Sequence, residues 1–527
     1  MKKFTSKIVF LLIVAVFATA CTKDLDSKPI DPNVVTSATV YDNPAAYKEA
    51  LAKLYAGLSL TGQQGATGQA DISGIDEGFS AYLRQYWCAQ ELSTDEAVIG
   101  SSSGNIREYH YQNWSTSNAV ITALYNRLFY QISICNEYIR VVTPKLNDIS
   151  GTLKTDVTHY LAEARFLRAL AYYHALDMFG NVPLVTDADP IGKFFPKQVG
   201  KKALFDYIQA ELLAIDGDLV NARANEYARA DKACAWTLLT KLYLNAEIYI
   251  GEKKYTECIN YSNKVIAAGF TLHPTYRNLF LADNNLNNPE IIFPVTADGI
   301  HTRTLGGANW VIFTSVGGSM NPADFGITSG YAGSRTTKNL VAKFSDISGA
   351  TDKRPMFYTS GQTLEIDDIS KFTQGYAVAK FRNVTSTGAK GSSLAYVDTD
   401  YPLFRLADVY LTYAEAVLRG GAGGDQTQAL TYINRLRQRA YTNATGNIAA
   451  ANLTLDFILD ERARELYWEG YRRTDLIRYG RFTNGDYVWP WKGNALAGIK
   501  TDAHFNVYPI PSSELGANPE IIQSAGY

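Results

Sequence analysis

The feature that most limits what this chain can fold into is a repeated pattern of paired helices. Apolar residues recur at i, i+3, i+4 and i+7 over several segments. In 158–179, Tyr160, Leu161, Ala164, Leu167, Ala171 and Ala175 share one face, and Gly180-Asn181 ends the run. Helical periods follow over 231–250 and 255–268, the second closed by Gly269. A later pair covers 402–419 and 426–440, joined by Gly420-Gly421-Ala422-Gly423-Gly424. The two pairs resemble each other. Leu242-Tyr243-Leu244 corresponds to Val409-Tyr410-Leu411, and Glu257-Cys258-Ile259-Asn260-Tyr261 to Gln428-Ala429-Leu430-Thr431-Tyr432. Ala203-Leu204-Phe205-Asp206-Tyr207 is a weaker third copy. Such pairs, with Tyr and Ala at the crossings, are tetratricopeptide-like, because one helical hairpin covers its apolar face only by stacking on the next. The expected fold is mainly α: degenerate tetratricopeptide-like pairs over about 158–268 and 402–440, supporting long irregular loops and a few short strands.

The loops lie at about 61–115 and 270–400, where Gly, Asn, Ser and Thr replace the helical period. Short runs at 290–295 and 376–381 read as strands. Long irregular segments on a rigid scaffold are where binding residues concentrate. At 527 residues the chain exceeds an ordinary single core, and its 46% apolar content excludes a wholly disordered polymer. Lys and Arg number 50 against 52 Asp and Glu, which provides no excess cation for general nucleic-acid binding. The 35 Tyr supply flat apolar faces with polar edges; those not in the core suit hydroxylated ligands such as sugars.

Lys2, Lys3 and Lys7 precede an apolar run from Ile8 to Phe17, then Ala18-Thr19-Ala20-Cys21. Residues 1–20 therefore read as a secretory signal, too short to remain as a membrane span. Ordinary cleavage after Ala20 fits the small-residue pattern. The favoured reading is a bacterial lipobox, with Cys21 acylated, 21–40 a polar tether and the outer membrane the destination. Multiple acyl chains anchor stably where one does not.

Catalytic and metal motifs are largely missing. The six His form no H-E-x-x-H, and His159 and His174 fall on a helix. Cys88, Cys135, Cys234 and Cys258 match no zinc spacing and leave one disulfide open. No P-loop occurs. Asp95/Glu96 and Asp460/Glu461 are adjacent carboxylates, expected to be solvated or capping, and 460–469 reads as a helix with an ion-pair face. Asp283-Asn284-Asn285-Leu286-Asn287 has the alternation of a calcium loop, but Asn288 and Pro294 replace its Gly and Glu. Asp283 is thus the candidate ligand for a structural calcium, with an Asx turn as the alternative.

Four segments in order carry a family resemblance. They are Ala162-Glu163-Ala164-Arg165-Phe166-Leu167-Arg168-Ala169 with Phe179-Gly180-Asn181-Val182-Pro183-Leu184; Leu403-Phe404-Arg405-Leu406-Ala407-Asp408 with Tyr413-Ala414-Glu415-Ala416; Glu461-Arg462-Ala463-Arg464-Glu465-Leu466 with Glu469-Gly470-Tyr471-Arg472-Arg473-Thr474-Asp475-Leu476; and Tyr508-Pro509-Ile510-Pro511. Behind a lipoprotein-type leader, this set resembles the SusD/RagB family of surface lipoproteins of gut-type Bacteroidetes. The resemblance implies a single SusD-like glycan-binding domain over 41–527, without catalysis. It also implies a SusC-like TonB-dependent outer-membrane transporter as partner, over which the lipoprotein sits as a lid.

Stretches such as Asp76-Glu77-Gly78, Glu91-Leu92-Ser93-Thr94-Asp95-Glu96 and Trp489-Pro490-Trp491-Lys492-Gly493 are similar to the family's starch-binding members. In those, three aromatics follow the curve of an α-glucan and polar side chains meet its hydroxyls. The resemblance puts two arc positions on Trp310 and Tyr331 and polar positions on Asp76 and Arg84. The third aromatic would follow Asp95-Glu96, where 97–105 holds none; Asn105 is the polar candidate there. Starch or malto-oligosaccharide is the first expected ligand. Another glycan, a peptide or a secreted glycoside hydrolase are the alternatives.

Overall fold

The structure is a computed structural model of the chain and describes residues 40–62, 65–66, 68–192 and 194–527. The signal read over 1–20, Cys21 and, apart from Val40, the tether lie outside the described residues. Residues 40–49 belong to a separate small unit, here the turn Val40–Asp42 and the opening of α1 (Ala45–Ser59), with the Tyr41 and Tyr47 rings 4.9 Å apart.

The unit from Ala50 onward contains α2 (Tyr82–Trp87), α3 (Ala119–Lys145), α4 (Gly151–Phe179), α5 (Lys201–Ala214), α6 (Lys232–Leu244) and α7 (Tyr255–Ala267). It continues with α8 (Gly307–Thr314), α9 (Leu406–Leu418), α10 (Gln426–Tyr441), α11 (Leu455–Leu466) and α12 (Arg472–Arg478). Successive helices from α3 to α7 pack each on the next, α7 packs on α9, and α9 receives α10 and α11. Helices far apart in sequence thus continue one stack, with 270–400 inserted between them. Side-chain caps start the helices where the sequence changes period. Asn118 Oδ1 accepts from the Val120 and Ile121 amides, Asp231 Oδ1 from Ala233 and Cys234, and Asp425 from Thr427 and Gln428.

Two elements depart from the sequence reading. The spacing does not single out α3, because its buried face includes Arg127, Gln131 and Asn136. These polar groups are bonded inside: Arg127 Nε donates to the Ser80 carbonyl at 2.8 Å, and Gln131 Nε2 to that of Leu54 at 2.8 Å. The segment expected to be helical from 402 is strand up to Arg405, since Tyr401–Arg405 is committed to a ladder.

Among the described residues the strands form four two-stranded antiparallel ladders: β1 (Val98–Ile99) with β5 (Ser334–Arg335), β2 (Val182–Pro183) with β3 (Gln198–Val199), β4 (Ile291–Val295) with β8 (Tyr401–Arg405), and β6 (Phe357–Tyr358) with β7 (Ala377–Val378). β4 and β7 fall on the two runs expected as strands. Cys88, Cys135, Cys234 and Cys258 are free and buried, so the disulfide left open by the sequence does not form among them.

α11 has the expected ion-pair face, with Arg464 2.7 Å from Glu461, but that face is buried. Glu461 and Glu465 are fully buried. Arg354 Nη1 lies 2.7 Å from Glu461 Oε1, and Arg405 reaches Glu290 at 2.8 Å, Glu465 at 2.7 Å and Glu469 at 2.6 Å. Arginine forks supply the several donors that buried carboxylates need to remain charged. The expectation of solvated carboxylates also fails at Asp95 and Glu96, both buried, with Asp95 held by Arg472 at 2.7 Å.

Candidate functional site

Two short helices and three loops meet around Arg84. α8 packs against α2, and the approach requires Gly306, where a Cβ would lie 2.2 Å from Ala81 Cβ and 2.8 Å from the Gly78 carbonyl oxygen. This contact sets Trp310 on α8 beside Arg84 on α2. The guanidinium carbon of Arg84 lies 4.7 Å from the Trp310 ring centre and 4.9 Å from that of Phe79. Such cation–π contacts hold the planar group while its N–H edges stay available. Arg84 Nε is buried and has no hydrogen-bond partner. Burial lowers the arginine's proton affinity, while Asp76 and Tyr331 on the same side act to raise it.

Tyr331 is held by backbone. Its amide donates to the Phe313 carbonyl at 2.7 Å, and the neighbouring Ala332 and Gly333 amides bond to Val316 and Thr314 at 2.9 Å each. Gly330 permits this approach, since a Cβ there would lie 2.0 Å from the Val316 carbonyl oxygen. The Tyr331 ring leans on Phe313, 5.2 Å between centres, and is 48% exposed. Burial raises its phenol pKa; Arg84 opposes that shift and Tyr396 adds to it.

Asp76 is exposed, and its Oδ1 accepts from the Phe79 amide at 3.0 Å. Asn105 is exposed in a left-handed conformation, φ 61°, and its carbonyl accepts from Asn118 Nδ2 at 3.1 Å. It adjoins the cluster through Gly104, where a Cβ would lie 3.0 Å from Phe79 Cζ. The five residues singled out in sequence are therefore neighbours around one patch, although they come from four separate segments.

Trp310 requires a correction in its form. It is 5% exposed rather than an open platform. Its edge packs on Trp87 at 5.5 Å, Trp87 meets Trp468 at 5.0 Å, and Arg84 occupies its face. Trp310 supports Arg84; Tyr331 and half-buried Phe79 are the rings that reach solvent. Sequence reasoning missed Phe79 and Tyr396. The aromatic Phe79 between Asp76 and Arg84 is a signal that could have been read, whereas Tyr396 becomes a neighbour only through the fold.

Asp283 does not fit a calcium site. Its two carboxylate oxygens accept from the Ser386 amide at 2.9 and 3.0 Å, and Oδ2 also accepts from Ser386 Oγ at 2.6 Å. Among the described residues no group of three or more His, Cys, Asp or Glu is arranged to hold a metal. Calcium prefers six to eight oxygens, and here the candidate carboxylate is already used to fasten two loops. The adjacent carboxylates are equally committed: Asp95 to Arg472, Glu461 to Arg354, and Asp460 to Lys343 at 2.7 Å. None of these pairs spans an open cleft, as glycosidase chemistry requires.

A family model described as SusD family matches residues 326–527. Over its full length the chain is 34% identical to the starch-binding protein SusD of Bacteroides thetaiotaomicron, covering 99% of that protein. Its fold is similar to a solved SusD homolog from Bacteroides thetaiotaomicron, with TM-score 0.72 and 20% identity over 93% of this chain and 98% of that one. It is also similar to surface glycan-binding protein A from Bacteroides thetaiotaomicron, solved in complex with laminarihexaose, with TM-score 0.66 and 19% identity over 91% and 99% of the chains. The ordered motifs, the stacked helix pairs and full-length identity agree, and the chain belongs to the SusD family.

Proposed function

We propose that this protein is a non-catalytic cell-surface glycan-binding lipoprotein that captures starch or malto-oligosaccharides and passes them to a SusC-like TonB-dependent transporter. The observation that carries the reading is the Arg84 guanidinium held between Phe79 and Trp310 beside Asp76 and exposed Tyr331. The identity to a relative named for starch binding supports the choice of an α-glucan.

A sugar ring offers a C–H face and a rim of hydroxyls. Tyr331 and Phe79 provide the apolar contact, Arg84 donates to hydroxyl oxygens, and Asp76 accepts from hydroxyl protons. Each aromatic contact contributes on the order of 1 kcal/mol beyond the area it buries, so single-site affinity is weak and release to a transporter is easy. Attachment of acyl chains at Cys21 anchors the domain at the outer membrane. Among the described residues no helix is long and apolar enough to cross a membrane.

The test is affinity electrophoresis in native gels containing amylopectin, pullulan, laminarin, levan or xylan. Retardation by the α-glucans, lost in Tyr331→Ala, is expected. Retardation by another polymer alone would replace the ligand, and binding of peptides without any glycan would overturn the reading.

A further inference from the structure

Away from the aromatic patch lies a cavity of about 460 Å³ whose wall includes Tyr276, Phe357 and four cationic residues, Arg277, Lys353, Arg382 and Arg439. Among the described residues no Asp or Glu lines it. It adjoins a more open trough of about 850 Å³ through the shared residues Pro274, Arg439 and Thr442, and the trough adds Arg435, again with no carboxylate in its wall among the described residues. Five cations facing one elongated depression stand out in a chain whose net charge is −2.

Among the described residues a carboxylate pairs directly with only one of the five, Arg439, and the other four have none. Arg439 is paired from behind with Glu290 at 3.1 Å and with Glu465, yet its buried Nε has no partner. Arg382 Nε donates only to the Ala379 carbonyl, at 3.2 Å, and its guanidinium lies 4.6 Å from the Phe325 ring centre. Burial and then repulsion from Arg277 bring Arg382 down to about 10, with Asp324 acting in the opposite direction. Asp324 is exposed and bonded to Asn321 at 3.2 Å. At the rim, both oxygens of Asp346 accept from its own turn, at Ser348 and Thr351. Lys353 Nζ donates to the Gly349 and Ala350 carbonyls at 2.8 and 2.7 Å.

Like charges held together at a partly dry wall favour the arrival of an anion. The size of each depression suits a small-molecule site, for which ~300–1,000 Å³ is usual. The continuous length suits a chain rather than a single ion, and half-buried Phe357 and exposed Pro274 provide apolar contact between the donors. We propose that this trough is a second ligand site, which takes a carboxylate-bearing saccharide such as a short uronate oligomer. It shares no residue with the Arg84 patch and operates independently of it.

Calorimetric titration of the full chain with trigalacturonate tests the assignment, with its fully methyl-esterified form, inorganic sulfate and tri-glutamate as comparison probes. Trigalacturonate is expected to bind and to weaken with added salt. Arg277→Gln with Arg382→Gln should reduce affinity about tenfold, as loss of charged hydrogen-bond donors predicts. Exposed Arg435→Gln provides a second, independent reduction on another element. The charge-matched control pair Lys202→Gln with Lys338→Gln, on exposed positions elsewhere, should change it less than about twofold. No trigalacturonate binding, equal losses in the site and control pairs, or equal binding of the ester would overturn the proposal. Sulfate or tri-glutamate binding as tightly as trigalacturonate would overturn the saccharide assignment.

Discussion

Arg84 lies over Trp310 at 4.7 Å, so the indole expected to meet a sugar is instead covered by a cation. The two residues have different roles, and substitution separates them.

Trp310→Ala removes a side chain that is 5% exposed and wedged against Trp87. It should destabilise the fold by about 3–5 kcal/mol, the range for large core aromatics, read from the denaturant midpoint. Tyr331→Ala should leave that midpoint within about 0.5–1 kcal/mol while abolishing retardation in amylopectin gels.

Arg84→Met keeps an unbranched apolar stem over Trp310 and deletes the donors. Glycan affinity should fall by about 1.5–3 kcal/mol, the value of a hydrogen bond to a charged group. Calorimetry with maltoheptaose checks this, and an unchanged affinity would remove Arg84 from the site.

Glu91 and Glu96 are buried hydrogen-bond partners beneath the turn at Trp468–Gly470. Burial pushes Glu91 up to about 7 and Glu96 well above the usual carboxylate range; their mutual repulsion adds to Glu96. The folded state therefore retains protons that carboxyls near 4.5 in the unfolded chain have released. Their stabilisation is complete below about pH 4.5 and declines as pH rises through about 7. Glu91→Gln, which keeps the acceptor for the Gly470 amide, should flatten this decline and stabilise the protein at pH 8 by on the order of 2 kcal/mol. Urea unfolding at pH 5 and pH 8 checks the sign.

Arg405→Met leaves Glu290, Glu465 and Glu469 around a missing cation. Removing one partner from a buried ionic group costs about 3–5 kcal/mol. The loss should appear as a lowered thermal midpoint in a protein that otherwise retains its helical circular dichroism.

Much of the helical stack was legible because α4, α6, α7 and α10 carry the helical period, and because α6 with α9 and α7 with α10 repeat a motif. α3 was less legible: Arg127, Gln131 and Asn136 interrupt its apolar face, and their partners are tens of residues away in sequence. At the candidate site, resemblance picked Asp76, Arg84, Asn105, Trp310 and Tyr331 as residues. Nothing local told which aromatic would be covered and which would face solvent.

The sequence by itself determined the helix-pair class, the strand positions at β4 and β7, and the lack of a recognisable catalytic signature, because these depend on periodicity, local propensity and fixed spacing. Tertiary structure alone decided that Arg84 covers Trp310, that Asp283 is used by Ser386, and that Glu461 and Glu465 are buried among arginines. Each depends on which surfaces meet across tens to hundreds of residues. Burial and electrostatics are properties of that meeting, and no local pattern in the chain encodes them.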